Sequence, residues 1–269
     1  MKIVFVTGGR RTGTTLLNAV ICADTDANPV IGEGMLICKL MEVLDWATDP
    51  YNFSDFSKHI FANTADLTNY FAGMLRDLAQ RTSARHGKPG NIVIKSPEFA
   101  FCLGQLMDAV PEARFAVSVR DPRDQITSEL EVRIRREDGT LDPSGVQLGQ
   151  VPGLIRKLNR YYDPIFAAEA RDPGRFLFVR YEDLLRSFDR TLVRINEFTG
   201  MQCNTFDPAG HWPRYAAVDD FVPNYPSYSA LYGQPIEPTR AGRHGAVLRQ
   251  EDIAAINQGC RVLMQRFGY

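Results

Sequence analysis

The stretch Ile3-Val4-Phe5-Val6-Thr7-Gly8-Gly9-Arg10-Arg11-Thr12-Gly13-Thr14-Thr15-Leu16-Leu17 decides how the rest of the chain is read. The apolar run Ile3 to Val6 is cut off by two glycines, and an apolar periodic segment resumes at Leu16 and runs to Ile21. This is a strand, a tight loop and a helix in succession. Such a loop aims backbone N–H groups and a helix N-terminus at one spot, which suits phosphate or sulfate. From Gly8 to Thr15 the spacing is that of the nucleotide-binding G-x-x-x-x-G-K-[ST] loop, with Thr14 standing where that motif has lysine. The loop fits an anion but lacks the cation that serves the β- and γ-phosphates of a triphosphate. Two adjacent arginines, Arg10 and Arg11, point the same way, because they repel in a short turn unless an anion neutralises them.

Outward from the loop, strand and helix patterns alternate. Asn91-Ile92-Val93-Ile94-Lys95 reads as a second buried strand stopped by Ser96-Pro97, Arg114 to Val119 as a third, and Arg175 to Val179 as a fourth. Between them the spacing predicts helices over Thr14–Ala23, Met35–Trp46, residues 50–87 with Asn63 or Thr64 as a cap, Phe99–Val110 and Val151–Ala170. Asp121 as N-cap with Pro122 at the first helical position starts another, Ser187–Thr199 follows the fourth strand, and Arg249–Phe267 reads as one final amphipathic helix. Residues 138–150 and 200–245 read as loops, the second long enough to be wrapped over a site.

Apolar strands alternating with helices predict a three-layer α/β/α fold with a central parallel sheet. Ligands of such sheets bind beyond the carboxyl ends of the strands, where Thr7-Gly8, Lys95 and Arg120 would face one crevice. The absence of a linker, repeat or low-complexity tract makes 1–269 one domain.

The composition is that of a globular chain of 269 residues, 44% apolar and 23% charged, with a formal net charge of −1. No global field draws it to nucleic acid, so any anion site is local. The five cysteines show neither zinc spacing nor a disulfide framework, and the scattered histidines His59, His86, His211 and His244 suggest no metal. No stretch reaches the ~20 apolar residues of a membrane span, and a chain opening directly on a strand leaves no room for a signal peptide, so cytoplasmic residence is expected. No G-x-S-x-G elbow supports a hydrolase triad.

Several residues carry alternatives. Arg120 ends a strand and Ser128 lies about two turns into the next helix, so the two can clamp a second phosphate; equally, Arg120 can pair with Asp121 or Asp124. Glu33, between two glycines, is placed as a general base or as an acid favoured by a helix dipole. Lys95 is a crevice cation or a surface lysine. Arg133, Arg135 and Arg136 read as a solvated helix face, and the aromatic-rich Phe221 to Tyr232 as an apolar or sugar-stacking acceptor surface or as loop packing.

Together these residues resemble the sulfotransferases that use 3′-phosphoadenosine 5′-phosphosulfate (PAPS). Arg10-Arg11-Thr12-Gly13-Thr14-Thr15-Leu16-Leu17 is similar to that family's 5′-phosphosulfate loop, and Val119-Arg120-Asp121-Pro122-Arg123-Asp124 with Ser128 to its 3′-phosphate motif. Val179-Arg180-Tyr181-Glu182-Asp183-Leu184 resembles a frequent downstream element, and Gly242-Arg243 the closing segment, with His244 where a tryptophan is common. Pro29-Val30-Ile31-Gly32-Glu33 and Ile94-Lys95-Ser96-Pro97 resemble the base and lysine segments of the tyrosyl-protein branch; bacterial carbohydrate enzymes have segments comparable to the first. The resemblance implies a P-loop-like fold and sulfuryl transfer from PAPS to a hydroxyl, less readily an amine, with no metal in the loop. Carried over by position, Glu33 is the base, and Arg11 and Lys95 stabilise developing charge. Arg10, Arg11, Thr12, Gly13, Thr14, Thr15, Arg120, Ser128, Tyr181 and Arg243 form the donor site. The acceptor stays open among small molecules, carbohydrates and peptide tyrosines, as does the oligomeric state. A P-loop-type small-molecule or nucleotide kinase and a nucleotide-sensing scaffold are the alternatives.

Overall fold

The computed structural model describes residues 1–133, 150–209 and 235–269. Arg135, Arg136, most of the loop expected at 138–150, His211 and the stretch Phe221 to Tyr232 lie outside the described residues.

Strand β1 (Lys2–Gly8) leads through the glycine-rich loop into helix α1 (Thr14–Ile21). Helices α2 (Met35–Thr48), α3 (Asp55–Ile60) and α4 (Thr64–Arg85) precede β2 (Asn91–Lys95). A 3-10 turn at Pro97–Cys102 and helix α5 (Leu103–Ala109) precede β3 (Arg114–Val119) and α6 (Pro122–Arg133). The long α7 (Gln150–Arg171) returns to β4 (Phe176–Arg180), followed by α8 (Tyr181–Arg186) and α9 (Phe188–Thr199), and two helices, Gln250–Gly259 and Arg261–Phe267, close the chain.

The four strands pair in the order β2-β1-β3-β4, every neighbouring pair parallel. This is the expected three-layer architecture, and alternation along β1 divides its two cores. Ile3 and Phe5 join α2, α4, α5, α6 and α7 on one face. Val4 and Val6 join α1, α8 and α9 on the other. In register, Phe5, Phe115 and Phe176 stack across three strands with centroids 5.7 and 5.0 Å apart, and Phe99 meets Phe5 edge-on at 5.1 Å. Truncating a ring in such a column typically costs about 3–5 kcal/mol.

Four helix readings need correction: the first, Phe99–Val110, is the 3-10 turn Pro97–Cys102 followed by α5 (Leu103–Ala109). The span 50–87 is two helices broken at Phe61–Asn63; the cap expected at Asn63 is present, its Oδ1 accepting from Asp66 N–H at 2.9 Å and opening the helix that ends at Arg85. A further helix, Tyr181–Arg186, precedes the one expected from Ser187. The final segment is two helices because Gly259 packs on Ile155, where a Cβ would come within 2.6 Å, and Asn159 Nδ2 donates to the Gly259 carbonyl at 2.9 Å.

The outer edge of β2 is not open. Asn28 Nδ2 donates to Val93 O at 3.0 Å, and Val93 N–H returns a bond to Asn28 Oδ1 at 2.7 Å. The chain from Ala27 therefore runs beside β2 until Gly34 N–H reaches Lys95 O at 2.9 Å. That side-by-side course delivers Glu33 to the carboxyl end of β2.

Candidate active site

The loop between β1 and α1 is shaped by what its carbonyls do. Thr12 Oγ1 donates to Gly9 O at 2.7 Å, Gln125 Nε2 to Arg10 O at 2.8 Å, Arg120 Nη1 to Arg11 O at 3.1 Å and Ser118 Oγ to Thr12 O at 2.6 Å. In a trans peptide the C=O and the following N–H point oppositely. Turning four successive carbonyls to protein donors therefore aims the N–H groups of residues 10–13 to the other side, the arrangement of an anion nest. Two glycines permit the turn: a Cβ on Gly8 would lie 2.3 Å from Ser118 O, and one on Gly13 2.4 Å from the Tyr181 ring. Arg11 adopts a left-handed backbone with φ 67°, which costs a non-glycine residue about 1–2 kcal/mol and is met at functional sites. Tyr162, 1% exposed, reaches the loop from α7 with its hydroxyl 3.3 Å from Ser118 O. Burial pushes its phenol well above the ordinary value, so it stays protonated.

The sheet register gathers the second motif beside the first. Gly8 pairs with Ser118 and Val119 with Arg180, so Arg120 and Tyr181 emerge next to the loop. The Arg120 guanidinium lies 4.7 Å over the Tyr181 ring. Asp121 is indeed the N-cap, its Oδ1 accepting Arg123 N–H at 2.9 Å, and its ion pair at 2.6 Å is with Arg123. Ser128, two turns into α6, accepts from Arg11 Nε at 3.2 Å. Glu182 accepts Asp121 N–H at 3.0 Å and the Tyr269 hydroxyl at 2.8 Å, tying the turn into α6 to α8 and the final residue.

The closing segment is pinned to α6 through Asp124, which is 2% exposed and accepts from Gly242 N–H, His244 N–H and His244 Nδ1. Burial alone pushes the Asp124 carboxyl up, but the hydrogen bonds from Gly242 and His244 outweigh it and hold the group below the ordinary carboxylate range. His244 thus serves as an anchor. Arg243, half exposed, pairs with Glu131 at 3.1 Å, one turn beyond Ser128.

Glu33 and Lys95 meet. Lys95 Nζ lies 2.7 Å from Glu33 Oε1, the side chains 7% and 20% exposed. Val6 pairs with Lys95 in register, and Thr7 Oγ1 donates to Pro97 O at 3.2 Å, so this carboxylate–ammonium pair stands next to the start of the loop. All three strand ends read from the sequence therefore lie side by side at the carboxyl end of the sheet.

Arg10 is the exception. Its guanidinium turns to Glu98 and to the Tyr161 hydroxyl, both within 3.0 Å of Nε. The repulsion between the two arginines is relieved by Glu98, so that pair does not by itself require an anion. Glu98, Tyr161, Tyr162, Gln125 and Ser118 join the site without a motif that marks them in the sequence. Ser118 carries a local signal, since it lies on β3 two residues before Arg120. Among the described residues no group of three or more His, Cys, Asp and Glu is set to hold a metal ion, and no helix is long and apolar enough to cross a membrane.

A family model described as the sulfotransferase family matches residues 4–205, and the chain belongs to that family. The chain is 26% identical over 208 residues to a Caenorhabditis briggsae protein named "Putative protein-tyrosine sulfotransferase", covering 75% of this chain and 66% of that protein. It is 24% identical over 198 residues to protein-tyrosine sulfotransferase 1 of Danio rerio, covering 72% and 52%. The chain thus spans between about half and two thirds of the length of these relatives. Among solved structures, the sulfotransferase domain from the Synechococcus PCC 7002 olefin synthase matches with TM-score 0.57 and 18% identity, over 100% of this chain and 95% of that one. The sulfotransferase domain from the curacin biosynthetic pathway matches with TM-score 0.60 and 17% identity, over 97% of each. At these identities the likeness is one of fold, and the fold is that of P-loop-like sulfotransferases.

Proposed function

We propose that residues 1–269 form one domain that transfers the sulfuryl group of PAPS to a hydroxyl acceptor and releases 3′,5′-ADP. The observation that carries the reading is the Arg11–Ser128 hydrogen bond. It joins the residue suited to the 5′-phosphosulfate with the one suited to the 3′-phosphate, so a donor bearing both groups would bridge a site whose halves already touch. In this reading the amides and hydroxyls of Thr12, Gly13, Thr14 and Thr15 hold the 5′-phosphate. Arg120 and Ser128 hold the 3′-phosphate with Arg243 at its edge, and Tyr181 backs the adenosine side. Glu33 takes the acceptor proton as the acceptor oxygen bonds to sulfur and the bond from sulfur to the bridging phosphate oxygen breaks. Arg11 and Lys95 carry the charge that grows on the leaving phosphate and the sulfuryl oxygens. The donor set is cationic and hydroxylic, which suits this transfer without a metal in the loop.

The named relatives make peptide tyrosine the first acceptor to try, followed by saccharides and small phenols. Cytoplasmic residence is part of the reading, and the five cysteines free of disulfides are what supports it. A kinase is not favoured, since Thr14 occupies the lysine position and the family match is to sulfotransferases. The test is labelled PAPS with a panel of tyrosine peptides, saccharides and phenols, alongside calorimetric titration of 3′,5′-ADP and ATP–Mg. Label transfer and tighter binding of 3′,5′-ADP are expected; preference for ATP–Mg with no label transfer would overturn the reading.

A further inference from the structure

Two arginines sit side by side in the loop, and the chain treats them oppositely. The left-handed backbone at Arg11 turns the chain between them. Arg11 then reaches Ser128, while Arg10 leaves for the 3-10 turn behind β2 and for α7. There a single carboxylate oxygen, Glu98 Oε1, receives Arg10 Nε at 3.0 Å, Arg10 Nη2, and the Tyr161 hydroxyl at 2.8 Å. Arg10 Nε also lies 3.0 Å from that hydroxyl, closing a three-membered network. The Glu98 main chain is held where Ser96 Oγ caps its N–H at 3.3 Å. Burial, and then Glu98, push the Tyr161 phenol above its ordinary value, so it remains a donor to the carboxylate.

Glu98 lies three residues past Lys95, in the Ser96-capped 3-10 turn that directly follows β2. A bond from Glu98 to Arg10 is therefore a bond from the segment that carries Lys95 to the loop that would carry the donor. We infer that Arg10 and Glu98 are a positioning pair for sulfuryl transfer: they brace the donor loop against the Lys95 segment, and the Arg10 side chain stands outside the phosphate-binding set. This rests on the sulfotransferase reading. The main-chain nest and the Arg120–Ser128 side do not pass through this pair, so the donor still binds without it. What the pair fixes is the distance between the bound sulfuryl group and the Glu33–Lys95 groups, and misplacement of reacting groups by about 1 Å can reduce rate about a hundredfold.

The test is a cycle of Arg10→Ala, Glu98→Gln and the double variant, with Arg120→Ala as the donor-binding reference, in the full chain. Affinity for 3′,5′-ADP is measured by calorimetry, and kcat and KM with labelled PAPS. Arg10→Ala and Glu98→Gln should each lower kcat about tenfold or more. Their 3′,5′-ADP affinity should stay within about threefold of wild type, and the double variant should fall little further than either single, since the two act as one unit. Glu98→Asp, which keeps the charge, should recover part of the rate, and Tyr161→Phe, which keeps the ion pair, should lose less than either. The inference is overturned if Arg10→Ala weakens 3′,5′-ADP as much as Arg120→Ala does, which would make Arg10 a ligand. It is also overturned if the two singles are additive, or if melting temperature falls while kcat holds. A wild-type protein that neither binds 3′,5′-ADP nor turns over PAPS would instead sink the sulfotransferase reading and the inference with it, whereas failure of the inference alone appears only in the variants.

Discussion

The Gly8–Thr15 loop and the Glu33–Lys95 pair stand at the same edge of the same sheet, yet they are secured in different ways. The loop takes hydrogen bonds from Ser118 on β3, from Arg120 at its end and from Gln125 on α6, and the Tyr181 ring closes on Gly13. The main chains of the pair are held by the Asn28–Val93 bonds, by Gly34 N–H to Lys95 O and by the sheet pairing of Lys95 with Val6, while the side chains meet in the ion pair itself. In the proposed reading a donor would bind a receptacle whose carbonyls are already turned away, so little ordering would be left to pay for on binding. The Glu33–Lys95 contact would instead be exchanged when an acceptor arrives. On that reading rigidity would serve binding, and the exchangeable bond chemistry.

Glu33→Gln should break that contrast most sharply. Turnover of PAPS is expected to fall by about a hundredfold to ten-thousandfold, the usual worth of a positioned base, with 3′,5′-ADP affinity unchanged by calorimetry. A matching loss of affinity would show that the halves are one. Arg120→Ala probes the other side: losing its bond to Arg11 O and its seat on Tyr181 should weaken 3′,5′-ADP by about 1.5–3 kcal/mol, and affinity equal to wild type would remove Arg120 from the donor site. Gly13→Ala puts a Cβ 2.4 Å from Tyr181 at φ 88°. A loss of about 1–3 kcal/mol is expected, read as a melting temperature lower by roughly 2–4 °C per kcal/mol; an unchanged melting temperature would mean that Tyr181 gives way freely.

The smallest expected effect follows pH. The folded Asp124 carboxyl is held below its ordinary value, so its contribution is present at neutral pH and is lost as pH falls through the folded value. Asp124→Asn should therefore melt below wild type at neutral pH, and the gap should narrow as pH drops below about 4. A gap independent of pH would remove the carboxylate from the anchoring of Gly242 and His244.

The donor loop was legible because its signal is local: an apolar run, glycines at fixed spacing and an apolar helix lie within one short stretch. The four strands and the Asp121–Pro122 helix start were legible for the same reason. Glu33 and Lys95 could each be singled out by their glycine or strand-end setting, but their meeting depends on Asn28 zipping the chain along β2. The Arg10–Glu98–Tyr161 network had no such signal, because it joins the loop, a 3-10 turn and the middle of a long helix. The break at Gly259 was hidden too. A lone glycine is tolerated in a helical pattern, and what decides its fate is Ile155 on another helix.

The central position of β1 also shapes how the chain is made. It pairs with strands that begin at residues 91 and 114, and its loop is completed by Ser118, Arg120 and Gln125. During synthesis at about 5–20 residues per second, the apolar β1–α1 unit waits roughly 5–20 s for those partners. Over that interval Ile3–Val6 and Leu16–Ala23 are exposed nascent chain, a natural client for ribosome-associated chaperones. Ribosome-bound chains halted shortly before residue 114 should therefore carry more chaperone than chains halted well past residue 200.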